Sequence, residues 1–154
     1  MANRIVHEDG KYLDVTPFHG KWCTITMRGN DTGYAQVGIR ASGKSYILFQ
    51  YRDKTGIAAK MYIKDITEVR MPGWKRKRQQ ELAAEDWEEG DNPYSRFIGC
   101  YCDIHVHSTS LFEGNPGFFH ARILDTEKGI VRIRENSKEY RVYQYMICGM
   151  MESK

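Results

Sequence analysis

The feature that most narrows what this chain can fold into is a pattern written twice. "GKWCTITMR" (20–28) lies over "GCYCDIHVH" (99–107), setting Gly20 on Gly99, Trp22 on Tyr101, Cys23 on Cys102, Ile25 on Ile104 and Met27 on Val106. After a turn that is longer in the second copy, "GYAQVGIRASGKSYILFQ" (33–50) lies over "GFFHARILDTEKGIVRIR" (117–134). There Gly33 meets Gly117, Tyr34 meets Phe118, Ile39 meets Ile123, Lys44 meets Lys128, Ile47 meets Val131 and Phe49 meets Ile133. Self-similarity at this spacing marks one supersecondary unit used twice. A chain of 154 residues then has room for two very small units.

The repeated pieces read as strands. "KWCTITMR" alternates, with Trp22, Thr24 and Thr26 on one side and Cys23, Ile25 and Met27 on the other. "SYILFQYR", "AAKMYIKDITEV", "GIVRIRE" and "EYRVYQYMI" are rich in β-branched and aromatic residues. The pieces "NDTG", "ASGKS", "RDKTG", "EGNPG", "DTEKG" and "ENSKE" between them carry turn residues. One segment differs. "WKRKRQQELAAEDWEE" (74–89) has strong helix formers, no Gly or Pro, and Leu82, Ala83 and Trp87 at helical spacing. The expected organisation is therefore mainly β: a first antiparallel barrel with an N-terminal strand over 1–71, a helical linker over 72–93, and a second barrel over 94–154.

Composition sets the boundaries of function. With 41% hydrophobic residues, ten Tyr, six Phe and three Trp, the chain can build a real core, which argues against wholesale disorder. A net charge of +3 is too mild to imply a nucleic-acid partner by itself. No apolar run is long enough to cross a membrane and no signal peptide opens the chain, so the expected setting is intracellular, cytoplasmic or nuclear, with no membrane contact. Four cysteines are too few for a secreted disulfide scaffold, and reduced thiols are expected.

Each copy resembles an SH3-like barrel of the Tudor type. "GYAQVGIRASGKSYILFQYRDKTG" running on to "YIKDITEV" is similar to most of that family's pattern, and "GFFHARILDTEKGIVRIRE" to its middle. The resemblance covers roughly residues 18–71 and 97–150. It implies two tandem SH3/Tudor-like antiparallel β-barrels and a non-enzymatic binding protein without a cofactor. It further implies a protein partner, such as a methylated or basic peptide, held in an aromatic cage. In the second copy the matching stretch "IRENS" has no aromatic, so the implied cage is in the first, from Trp22, Tyr34, Phe49 and Tyr51. A cationic ligand head is drawn to such ring faces.

Three further motifs carry chemistry. "GIRASGKS" (38–45) fits the phosphate-cradling P-loop pattern, but that loop needs a helix starting near Lys44, and "SYILFQY" follows instead. The repeat makes it a hairpin turn. In "GCYCDIHVHSTSLFEGNPGFFH" two Cys, three His and Glu113 crowd together. Cys100 and Cys102 face one side of an extended strand, His105 and His107 the other, leaving a metal site from His105, His107 and either Glu113 or His120 open. Lys75, Arg76, Lys77 and Arg78 begin the expected helix and acids end it, against the macrodipole, so those bases are free to serve a partner. With Arg122, Arg132, Arg134 and Arg141 and exposed aromatics they support the alternative of a nucleic-acid-binding β-barrel. A protein-binding adaptor is the first expectation, nucleic acid the second, and a small metalloprotein centred on His105 and His107 the third.

Overall fold

The computed structural model describes residues 14–28, 33–70, 87–107 and 117–153, and the backbone alone of 4–6. The chain divides into two compact units, Met1–Glu88 and Glu89–Lys154. The fold is mainly β and antiparallel, with no helix longer than one or two 3-10 turns among the described residues.

Unit 1 contains β1 (Arg4–Val6), β2 (Trp22–Met27), β3 (Gly33–Ser42), β4 (Tyr46–Tyr51), β5 (Lys54–Ala59) and β6 (Ile63–Glu68). Strands β2 to β5 form a meander; a 3-10 turn at Lys60–Tyr62 then brings β6 back beside β2, and β1 adds to the far edge of β6. Unit 2 contains β7 (Tyr101–Val106), β8 (Gly117–Glu127), β9 (Ile130–Glu135), β10 (Lys138–Tyr143) and β11 (Ile147–Glu152). It repeats the plan: a meander β7 to β10, a 3-10 turn at Gln144–Met146, and β11 returning to β7.

The correspondence extends to single bonds. The Gly20 N–H donates to the Ile39 carbonyl at 2.8 Å, and the Gly99 N–H donates to the Ile123 carbonyl at 2.8 Å. The Val69 N–H donates to Trp22 as the Ser153 N–H donates to Tyr101, both at 2.8 Å. Gly20 and Gly99 hold φ of 80° and 88°, where a side chain would be strained, which is why glycine stands at both places. Gly33 and Gly117 recur for another reason: a Cβ on either would run into the carbonyl oxygen of Ile25 or Ile104 on the neighbouring strand.

Burial follows the pleat. On β2 Cys23, Ile25 and Met27 are buried and on β7 Cys102, Ile104 and Val106, alternating with more exposed neighbours. "YILFQ" of β4 and "GIAA" of β5 are buried on both faces, as is "ICGM" of β11, and these are the runs that show no alternation in the sequence.

Two expectations change here. Neither unit closes into a hydrogen-bonded barrel: within unit 1 β5 pairs with neither β6 nor β1, and within unit 2 β10 does not pair with β11. The 3-10 turns explain the gap, because they carry the last strand across to the first and leave consecutive strands β5 and β6, and β10 and β11, unpaired. The expected helix at 72–93 lies mostly outside the described residues. Of the part described, Trp87–Gly90 has no regular structure and Pro93–Phe97 forms a 3-10 segment. Asn92 caps that segment by accepting from the Tyr94 N–H, and its amide donates to the carbonyls of Glu127 at 2.7 Å and Ile130 at 3.1 Å.

Candidate interaction site

Between β7 and β8 the pairing slips by one residue. Cys102 faces Ala121 and Ile104 faces Phe118, so Phe119 and His120 share the place opposite Asp103. A bulge of this kind breaks alternation and turns two successive side chains outward. Phe118 and Ala121 are sealed in the core, whereas Phe119 is 63% exposed and His120 is exposed beside it.

The exposed rings are held in place. His120 stacks on Tyr101 with centroids 4.5 Å apart and planes 12° from parallel, and Tyr101 is itself 43% exposed. The His120 N–H donates to Asp103 Oδ1 at 2.8 Å, and the Phe119 N–H donates to Glu135 Oε2 at 2.7 Å. His120 Nδ1 and Ser153 Oγ share a hydrogen bond of 2.8 Å. Two carboxylates thus tie down the backbone of Phe119 and His120, and the Ser153 hydroxyl and the Tyr101 ring hold the His120 imidazole.

Unit 1 has the same bulge without the rings. Cys23 faces Val37 and Ile25 faces Tyr34, leaving Ala35 and Gln36 opposite Thr24. Gln36 has φ of 56° and His120 of 51°, so the left-handed backbone belongs to the fold and only the aromatic side chains belong to unit 2.

The arginines on the same sheet are engaged by acids. Arg132 contacts Asp125 at 2.5 Å and Glu139 at 3.7 Å, Arg134 contacts Glu139 at 2.7 Å, and Arg141 reaches Glu127 at 3.7 Å. The Arg134 and Arg132 guanidiniums hold the Glu139 carboxyl below the usual carboxylate range, mainly through the Arg134 hydrogen bond. Arg122 lies in register between Tyr101 and Arg134. A second exposed aromatic pair, Tyr143 and Tyr145, stacks at 5.6 Å where β10 meets the 3-10 turn.

The residues singled out from sequence are placed as follows. Tyr34 and Phe49 are core, 5% and 0% exposed, with ring centroids 4.6 Å apart; the missing side chain of Gly56 leaves the space the Phe49 ring occupies. Trp22 is half-buried, and Tyr51 is half-buried with the Arg52 guanidinium 5.4 Å from its ring centroid. Lys75, Arg76, Lys77, Arg78 and Glu113 lie outside the described residues. His105 and His107 are half-buried on β7 and just beyond it, and His105 faces Gly117, two residues along β7 from Asp103. Burial pushes the His105 imidazole down, opposed by the nearby Asp103 charge. Among the described residues no three His, Cys, Asp or Glu side chains are gathered as a metal site would require. At "GIRASGKS" β3 runs to Ser42, the Gly43 N–H donates to the Tyr46 carbonyl at 2.9 Å, and β4 begins; Lys44 is exposed on that hairpin turn.

Agreement between the copies marks Tyr101 only as the counterpart of Trp22 and does not mark Phe119 at all. The signal was in the disagreements: Phe119 over Ala35 and His120 over Gln36. No family model matches the chain, and no curated protein is similar enough to be a relative.

Proposed function

We propose that this chain is a non-enzymatic protein-binding module of two SH3/Tudor-like units, with its recognition surface around Tyr101, Phe119 and His120. The SH3-like reading is supported by the plan of each unit, a four-stranded meander whose fifth strand returns to the first. The recognition surface rests on one observation: an exposed aromatic patch in which the His120 ring is stacked on Tyr101 and bonded to Ser153, beside Phe119 whose backbone is tied to Glu135. Pre-set rings lose little freedom on binding, and aromatic side chains with arginine nearby are the usual energetic centres of protein interfaces. A protein partner is favoured over nucleic acid because Arg132, Arg134 and Arg141 face carboxylates on their own sheet, which weakens the positive field a phosphate backbone would need.

The test is capture with exposed residues altered. Phe119→Ala and Tyr101→Ala should shift stability by no more than about 0.5 kcal/mol, as surface changes do. Photo-crosslinking in cell extract should then give a protein adduct with the parent chain that both variants lose. Fluorescence anisotropy with a labelled single-stranded oligonucleotide supplies the other arm. Salt-sensitive binding that disappears with Phe119→Ala would transfer the surface to nucleic acid.

A further inference from the structure

Within unit 2, β10 pairs with β9 along its whole length, and no described strand of the unit lies on its other side. The pairing has no bulge and the strand no proline, so two devices that blunt an open edge are missing. The direction of its backbone groups follows from the turn. With two residues in the loop, Glu135 and Lys138 form the closing hydrogen-bonded pair, and bonding pairs alternate from there. At the far end the Gln144 N–H donates to the Gly129 carbonyl at 2.8 Å, in phase with that alternation. Even-numbered residues of β10 therefore bond to β9. Glu139, Arg141 and Tyr143 turn their N–H and C=O groups to the open edge.

We propose that this edge pairs antiparallel with the same edge of a second copy of the chain, about a two-fold axis through Tyr140. Only registers that set odd residues against odd residues join the free backbone groups. One of these places Glu139 on Glu139 of the second copy, and another places Arg141 on Arg141; like charges directly opposite are unfavourable. The register centred on Tyr140 sets Glu139 against Arg141 of the second copy and Arg141 against its Glu139, joining four backbone hydrogen bonds about the axis. Glu139, bonded to Arg134 within its own sheet, is still 48% exposed, and Arg141 is 64% exposed, so both present charge at the edge. Within its own sheet Arg141 stands opposite Arg132, a like-charged cross-strand pair, with Glu127 only at 3.7 Å. The second copy supplies the acid on its other side. Such a contact is isologous and closes on itself, giving a dimer rather than a fibre.

Sedimentation velocity of the full chain over a concentration series tests this, with two sets of variants. Glu139→Arg and Arg141→Glu alone should each weaken the dimer about tenfold or more, and the double swap should restore it. Arg141→Pro should be monomeric yet folded, because its N–H faces outward and makes no bond within the sheet. A parent chain that stays monomeric throughout, or a dimer that survives Arg141→Pro, overturns the proposal. If the proline variant does not fold, a dimer indifferent to both single reversals overturns it. Phe119→Ala should dimerise like the parent, which keeps this result separate from that of the aromatic surface.

Discussion

At position 118 a phenylalanine is sealed in the core, and at 119 the next one points into solvent. Nothing in the residue type distinguishes them; the bulge opposite Asp103 does. His105 shows a similar dependence on place. On β7 it is half-buried, and burial depresses its pKa below the ordinary 6.5, with Asp103 partly opposing. In the unfolded chain the imidazole titrates near its ordinary value, so on acidification the unfolded state takes up the proton first. A depressed histidine thus contributes stability above its unfolded pKa, and that contribution falls as pH drops below about 6.5 towards the folded value. The melting temperature of the parent chain should fall more steeply between about pH 7 and pH 5.5 than that of His105→Asn. Parallel curves would show that His105 is not responsible.

At the scale of elements, the hairpin β9–β10 offers the sharpest reading. Asn136 and Ser137 have φ of 51° and 71°, both left-handed, which is the two-residue turn whose twist matches the flanking strands. Asparagine tolerates that region and serine does not, so Ser137→Gly should raise stability by about 0.5 kcal/mol after the extra freedom of the unfolded glycine is allowed for. The measurement is a urea midpoint at unchanged slope, and a lowered midpoint would contradict the turn assignment. This turn was legible in "ENSKE" as a turn, though not as to type. The β3–β4 turn was legible for a better reason: "ASGKS" sits over "DTEKG", and only a hairpin suits both. What local pattern could not give was the bulge, because a one-residue slip depends on how two strands register and not on either strand alone.

Across the whole molecule the buried thiols report on both units at once. Burial pushes Cys23 and Cys148 up to about 12, and Cys102 higher still. Cys100 is only half-buried, though burial and then Glu152 also raise it. Ellman's reagent at neutral pH should therefore titrate no more than one thiol in the native chain, slowly, and all four in denaturant; Cys100→Ser should abolish the native reaction. Rapid native labelling of Cys102 would contradict the placement of β7. The mainly β, antiparallel character and the recurrence of the same strands in two copies were readable from sequence alone, because alternation, turn residues and recurring glycines are local requirements that each copy must meet. Open sheets in place of barrels, Tyr34 and Phe49 in the core in place of a cage, and Phe119 and His120 at the surface were decided by tertiary structure. Those outcomes depend on which strand pairs with which and in what register, and burial is a property of that pairing rather than of any residue.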